Sequence, residues 1–524
     1  MRTLAADGVD DGAAPAPAVR STRTPTWHAP VALGAVVAVG VVARFVQRSP
    51  LWLDEALSVN IASLPLGDMF EALRHDGHPP FYYLVLHGWM SVFGDGDGAV
   101  RALSGIFAVA ALPLTWIAGR RLAGPAGASW ALAVAALSPY LIRYATETRM
   151  YSLVMLLVLA GYLVLTDALD APRPGRLAAL TLISGLLLLT HYWSFYLLGA
   201  VGLMLALRWW RAPRQRAATG RVLLAVAAGG VLFLPWLGGF LFQSQNTGTP
   251  WGEPYRPTSI VQATLSDLGG GVLSESSLAA LVVALFLAVA LFAARSAGRE
   301  ITFDLHTVPT VRRELIAVAL VITLGCVAGY ATNATYQSRY AAVFVPLLLL
   351  AVAVGITRIP GAARVVAGGA YLVLAVGGVA WVNYYQRTQA EVVADAVAEQ
   401  VQPGDVVVYC PDQLGPGYSR AMPDGLELKE LAYPALTPPE RVDWVDYAER
   451  NEAADPVRVA QEIREQAGGH AIFLVWMSDY LTFDEQCEEL LTALAPADSL
   501  VIQENAKFYE PAFLHRVPAP GEAS

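Results

Sequence analysis

Eleven apolar stretches set the fold class of this chain before any motif is read. They lie near residues 31–47, 101–118, 124–142, 148–168, 177–190, 194–208, 221–242, 278–294, 315–332, 340–357 and 364–382. About 20 apolar residues at 1.5 Å rise per residue cross the hydrocarbon core of a bilayer, so such repeats read as transmembrane helices. Charged residues make up only 15% of the chain, against about 25% in soluble domains. That excludes an ordinary cytoplasmic enzyme, and nothing in the sequence points to a nucleic acid as partner.

Loop charges orient the spans. Arg20 and Arg23 precede the first, Arg120 and Arg121 follow the second, and Arg173 and Arg176 follow the fourth. Arg208, Arg211, Arg214 and Arg216 follow the sixth, Arg295, Arg299, Arg312 and Arg313 the eighth, and Arg358 and Arg364 the tenth. All fall on one side if these eleven segments cross, which satisfies the positive-inside rule. The expectation is a multi-pass plasma-membrane protein with a cytoplasmic N-terminus and an extracytoplasmic C-terminus. Phe81 to Phe93 is apolar but short, bounded by Pro79-Pro80 and Gly94-Asp95-Gly96-Asp97. Counting it as a crossing would invert every later loop, so it is expected to be re-entrant or interfacial; the alternative is a count of up to 13 helices.

Three regions follow from composition. Residues 1–26 are rich in Ala, Pro, Arg, Asp and Thr without an apolar run, and read as a disordered cytoplasmic tail. Residues 27–385 hold the spans, with an external loop at 48–80. Residues 391–524 carry 25 Asp and Glu against 8 Lys and Arg, an acidic excess that marks a separate C-terminal domain, 386–524. Its short buried-strand patterns, Asp405–Cys410 and Ala471–Trp476, alternate with helical stretches near 390–402, 456–467 and 484–494, which predicts a small α/β domain. No phosphate loop or catalytic constellation is legible in it, and it is expected to be a cap or an acceptor-docking module. Cys410 and Cys487 both fall there, where a disulfide is compatible with an external compartment, although sequence alone does not show that they meet. Cys326 lies within an apolar span and reads as core.

The polar residues that need a functional explanation collect on the external side. Asp54 and Glu55 stand at the lip of the first span, where two carboxylates are costly unless chemistry or binding uses them. Asp54 can equally be a helix N-cap before Ala56-Leu57-Ser58. His78-Pro79-Pro80 suits a helix start, since Pro fits the first turn, but that does not explain the imidazole. Glu147 and Arg149 flank a span end, as an interfacial ion pair would. His191 and Tyr192 can be aromatic-belt anchors. Arg339 has no positive-inside reason to be external, and its guanidinium suits a phosphate oxyanion.

Together these motifs resemble a known family. Leu51-Trp52-Leu53-Asp54-Glu55, His78-Pro79-Pro80-Phe81-Tyr82-Tyr83, Glu147-Thr148-Arg149-Met150-Tyr151, Thr190-His191-Tyr192 and Ser338-Arg339-Tyr340 look like the bacterial protein O-mannosyltransferase-like and aminoarabinose-transferase-like branch of the GT-C glycosyltransferases. The resemblance runs from residue 31 to about 382 and implies a GT-C fold of about 11 transmembrane helices. It also implies inverting transfer of a sugar from a polyprenyl-phosphate donor, a membrane lipid, to an acceptor hydroxyl on a protein, cell-wall glycan or glycolipid. Asp54 corresponds to the base, with Glu55 beside it, and Arg339 to the donor-phosphate ligand. His78, Arg149, His191, Tyr192 and Tyr340 match positions around the phosphate and cavity, and Tyr82, Glu147 and Tyr151 other cavity positions. Family members differ in using a divalent metal; Asp54, Glu55 and His78 would be its ligands here. A transporter or flippase of lipid-linked sugars is the rival reading, disfavoured because the charges cluster at one face and no internal repeat is detected.

Overall fold

The computed structural model describes residues 28–522 apart from 250–251, 272–273, 298–299, 479, 481 and 496–498. The expected tail, with Arg20 and Arg23, lies outside the described residues, as does Arg299. The helices before residue 385 are α1 (His28–Ala43), α2 (Leu53–Ala62), α3 (Leu66–Asp76), α4 (Phe81–Phe93), α5 (Asp97–Ala136), α6 (Pro139–Ala145), α7 (Tyr151–Asp170) and α8 (Pro174–Thr190). They continue as α9 (Ser194–Arg211), α10 (Arg216–Phe233), α11 (Leu237–Asn246), α12 (Pro257–Leu268), α13 (Ser274–Phe292), α14 (Pro309–Thr332), α15 (Val345–Arg358) and α16 (Gly361–Tyr384).

The expected spans fall on these helices, the one at 221–242 shared between α10 and α11 across a 3-10 turn at Leu234–Trp236, and three boundaries beside polar residues move for local reasons. The 40-residue α5 breaks at Ala123 and Gly124, where Gly124 takes φ 63° ahead of Pro125, so it supplies two of the expected segments. The segment expected at 124–142 stops at Ala136. Ser138 then caps a new helix through the Leu141 amide, with Pro139 in its first turn, an arrangement that satisfies an otherwise orphaned N–H. The span expected at 340–357 begins at Val345, because Ser338–Val343 forms a tight 3-10 turn instead. The span expected from 148 begins at Tyr151, leaving 146–150 as a buried turn. Each shortened stretch carries a polar residue of the site.

The ends of the helices sort into two faces. Arg121 pairs with Asp167 at 2.7 Å, and Arg176 donates to the Asp167 carbonyl at 2.7 Å. These arginines therefore meet near the far end of the 20-residue α7, roughly 24 Å from Tyr151 at 1.5 Å per residue. Helix α4 has both ends on the opposite face. At its start Tyr83 donates to Asp76; just past its end, Arg420 of the C-terminal region pairs with Asp97 at 3.5 Å. The 13-residue α4 is nearly as long as the 14-residue α15, so length does not separate the two; the placement of both α4 ends on one face supports the interfacial reading.

A small hairpin, β1 (Ala293–Ala297) with β2 (Glu300–Phe303), follows α13. The C-terminal region is α/β, as expected. Its five strands are β3 (Val406–Cys410), β4 (Lys429–Ala432), β5 (Ile472–Trp476), β6 (Leu500–Ile502) and β7 (Phe513–Val517), in the order β4-β3-β5-β7-β6. The first three are parallel neighbours, and β7 runs antiparallel to β5. β3 and β5 are buried on both faces, hence their continuous apolar runs. Cys410 and Cys487 form a disulfide. The core on one sheet face takes in Trp52 and Leu53 from the segment that carries Asp54, so the α/β region is docked on that segment.

Candidate active site

Asp54 and Glu55 are neighbours in sequence and part company in space. Helix α2 starts at Leu53 with Trp52 as its N-cap and no side-chain cap, so the N-cap alternative for Asp54 does not apply. Successive residues on a helix point about 100° apart, since 3.6 residues make a turn. Asp54 faces a cavity of about 430 Å³; Glu55 turns inward and is fully buried.

Glu55 is a structural anchor. Arg101 grips it with two bonds, Nε to Oε1 at 2.8 Å and Nη2 to Oε2 at 2.6 Å. Arg387 adds Nη1 to Oε2 at 3.2 Å, and the Thr148 amide donates to Oε1 at 2.8 Å. Burial works against the charge, yet the two guanidinium groups hold the carboxyl below its ordinary range. Arg101 also donates to the Ser49 and Pro50 carbonyls, and Arg387 to those of Thr146 and Arg143. One carboxylate thus ties the first external segment to α5, to the 143–148 turn and to the link into the α/β region. Expected as a catalytic partner of Asp54, Glu55 does not line the cavity.

Around Asp54 the charges converge. Arg339 Nη1 donates to its Oδ2 at 2.7 Å, and Arg149 Nε lies 4.0 Å from the same oxygen. Arg149 further donates to the Asp54 carbonyl at 3.2 Å, to Ser58 Oγ at 2.8 Å and to His78 Nε2 at 2.8 Å. Because a guanidinium only donates, His78 Nε2 accepts, and its Nδ1–H donates to Asp76 Oδ2 at 2.7 Å. The second Asp76 donor is Tyr83, at 2.9 Å. A line of fixed partners therefore runs from Tyr83 through Asp76, His78 and Arg149 to Asp54. Glu147 and Arg149 do not pair with each other as expected of an interfacial pair; Glu147 lies 3.7 Å from Arg387.

The tight turn at 338–343 presents Arg339. Tyr140 donates to the Ser338 and Arg339 carbonyls at 3.0 and 3.2 Å. Asp267 accepts from Ser338 at 2.8 Å and from Arg143 and Tyr144 at 3.1 Å each. His191 is buried between Tyr151 and Tyr340, with ring centroids 5.8 and 5.5 Å away. Burial, reinforced by His78, Arg149 and Arg339, pushes its pKa well below the ordinary range, so it is a neutral spacer behind the guanidinium groups. Tyr340 lines the cavity, but Tyr192 does not. The Tyr192 hydroxyl donates to Gln243, whose amide donates to the Leu73 carbonyl at 2.6 Å and the His78 carbonyl at 3.3 Å. Its place is to fix the His78 backbone. Tyr82 and Tyr151 are fully buried behind the cavity.

The set expected to hold a metal does not gather at one point. Glu55 faces Arg101 and Arg387, His78 has both ring nitrogens engaged, and Asp54 faces two guanidinium groups. No group of three or more His, Cys, Asp or Glu suited to a metal ion occurs among the described residues. This donor set does not fit a divalent ion.

The residues that sequence reasoning missed are Asp76, Arg101, Asp267 and Arg387, together with the whole far wall of the cavity. That wall comes from the α/β region: Gln413, Trp444, Met477, Tyr480, Tyr509 and Glu510. The rule that singled out Arg339, an arginine at an external span end without a topological reason, would also have flagged Arg101 and Arg387. No sequence signal marks the wall residues.

With this geometry in view, one family model matches part of the chain. Residues 77–238 match the dolichyl-phosphate-mannose-protein mannosyltransferase family. The mannosyltransferase match includes His78, Tyr82, Glu147, Arg149, Tyr151, His191 and Tyr192, so the resemblance read from the motifs is supported over that segment. Asp54, Glu55 and Arg339 lie outside it. The helices and C-terminal sheet described above agree with the coarser expectation, a mostly helical membrane protein with a small α/β region. No curated protein matches the chain. The solved structures that match include two distant likenesses. ArnT from Cupriavidus metallidurans bound to undecaprenyl phosphate is 14% identical, with a TM-score of 0.47 over 93% of this chain and 97% of that one. The Archaeoglobus fulgidus oligosaccharyltransferase in complex with Zn and sulfate is 11% identical, with a TM-score of 0.48 over 84% of this chain and 67% of that one.

Proposed function

We propose that this protein is an inverting glycosyltransferase that moves a sugar from a polyprenyl-phosphate donor to an acceptor hydroxyl at the extracytoplasmic face of the plasma membrane. One observation carries the reading: a carboxylate and two guanidinium groups, Asp54, Arg339 and Arg149, meet at a cavity between the helical domain and the α/β region. Asp54 takes the proton of the attacking hydroxyl as general base. The acceptor oxygen bonds to the anomeric carbon as the bond from that carbon to the phosphate oxygen breaks. The electron pair leaves on the polyprenyl phosphate, where Arg339 and Arg149 stabilise the growing charge. Because Arg339 bonds Asp54, a phosphate that binds Arg339 competes for that guanidinium and frees the Asp54 oxygen it held.

The disulfide Cys410–Cys487 lies in the region that walls the cavity, and disulfides persist in oxidising compartments. The arginines around Asp167 gather at the opposite end of α7. Both support an outward-facing site and a cytoplasmic arginine face. Hexose, pentose and amino-sugar donors all carry the phosphate that this cluster would grip.

The test is transfer from a panel of radiolabelled polyprenyl-phosphate sugars in membranes holding the protein. Arg339→Ala is expected to weaken donor binding by roughly tenfold to a hundredfold, the range for a charge-assisted hydrogen bond, with acceptor binding unchanged. Unaltered donor affinity would remove the phosphate role, and donor moving across the bilayer with no glycosylated product would show a flippase instead. A chelator is expected to leave transfer intact, because Arg149 and Arg339 supply the positive charge; loss restored by added Mg²⁺ or Mn²⁺ would overturn that.

A further inference from the structure

The two walls of the cavity differ in kind. On the helical side stand the cations Arg149 and Arg339, both turned to Asp54. On the α/β side, no lysine or arginine lines the cavity among the described residues. Instead Trp444 and Tyr480 are partly exposed and Tyr509 is 51% exposed. Tyr509 packs edge-on against Trp52, ring centroids 5.3 Å apart. Wide aromatic rings left uncovered inside a cavity are costly to hydrate, so their uncovered faces call for a ligand.

Between the rings lie polar groups of modest charge. Gln413 is buried and donates to Tyr447 at 3.1 Å. Glu510 Oε1 accepts the Leu53 amide at 3.4 Å, and its Oε2 is buried without a hydrogen-bond partner. The nearby cations are engaged elsewhere: Arg339 and Arg149 with Asp54, and Arg387 with Glu55 and Glu147. Burial, with the Asp54 charge adding to it, pushes the Glu510 carboxyl up to about 8. At neutral pH this wall is therefore largely uncharged, with hydroxyl, amide and carboxyl groups set among aromatic faces.

Resting on the glycosyltransferase reading, we infer that the acceptor is a neutral carbohydrate, stacked on Trp444, Tyr480 and Tyr509 with its hydroxyls toward Gln413 and Glu510. A sugar ring offers a C–H face that packs on the negative face of an aromatic ring and a rim of hydroxyls that both donate and accept. A phosphorylated glycolipid would find no counter-ion on this wall. The docking of the α/β region on Trp52 and Leu53 places the acceptor sugar next to Asp54, so this region completes the active site.

The experiment offers the full-length protein, in membranes with its labelled donor, three acceptors: a neutral oligosaccharide pool released from the envelope, a Ser/Thr peptide and a phosphorylated glycolipid. Label is expected in the oligosaccharide. Trp444→Ala and Tyr480→Ala should each raise the acceptor KM by about tenfold with the donor KM unchanged, and Trp444→Phe should restore most of it. Label in the peptide or phosphorylated glycolipid alone, or an acceptor KM indifferent to both ring deletions, overturns the inference. Oligosaccharide binding followed by quenching of tryptophan fluorescence, without donor, separates the two proposals. Binding that depends on Trp444 with no transfer from any donor refutes the glycosyltransferase reading alone; transfer without such binding refutes this one alone.

Discussion

Asp54→Asn is expected to slow sugar transfer by about 10²- to 10⁴-fold, the contribution of a positioned general base. Asn keeps the size of the side chain and its bond from Arg339, but its amide does not take the acceptor proton. Removing the negative charge also removes a competitor for Arg339, so donor affinity should hold or rise while kcat falls. That split distinguishes loss of a base from loss of a binding site. Initial rates and donor KM for wild type and variant in the same membranes decide it: wild-type kcat in the Asn variant would end the case for Asp54 as base.

Glu55→Ala should act on stability first. The carboxylate is fully buried and held by Arg101 and Arg387. Removing it leaves two guanidinium groups with their main counter-charge gone, and breaking a buried pair by deleting one partner costs about 3–5 kcal/mol. The joint that fails is the one holding the Asp54 segment to α5 and the 143–148 turn, so activity would fall through misplacement of Asp54. Thermal unfolding of the purified protein in detergent reads the effect directly. A variant with wild-type Tm and no transfer would show instead that Glu55 takes part in the chemistry. Asp54 and Glu55 are thus expected to fail in opposite ways, one with the fold intact and the other through the fold.

Much of this was legible in the chain. Span positions follow from apolar length, because a bilayer imposes that length on any helix that crosses it. Strands β3 and β5 follow from short apolar runs, and the helix at 456–467 from its amphipathic pattern. Asp54, Arg149, His78 and Arg339 stood out because charge at an apolar boundary is costly. Less legible were the ends of the spans. The segments expected at 124–142 and 340–357 read as continuous helix because hydropathy averages over a Ser-Pro cap or a 3-10 turn, and those short departures carry Arg143 and Arg339.

Some assignments depend on direction in space, which a local pattern does not contain. Whether Asp54 or Glu55 faces the cavity turns on where α2 begins, and the packing of Trp52 and Leu53 in the α/β core places that start. Asp76, Arg101 and Arg387 acquire meaning only from partners 2 to 332 residues away in sequence. The α/β region held no motif because its part in the site is a surface, assembled from Gln413, Trp444, Tyr480 and Glu510 in four separate segments. By itself the sequence determined a multi-helix membrane protein, the acidic α/β region and the charged residues that burial makes costly. The tertiary structure decided which carboxylate faces the cavity, which arginines are anchors and which face a ligand, and what closes the site. Hydrophobic length and charge cost are properties of a short stretch, whereas a binding site depends on the directions of side chains that only packing fixes.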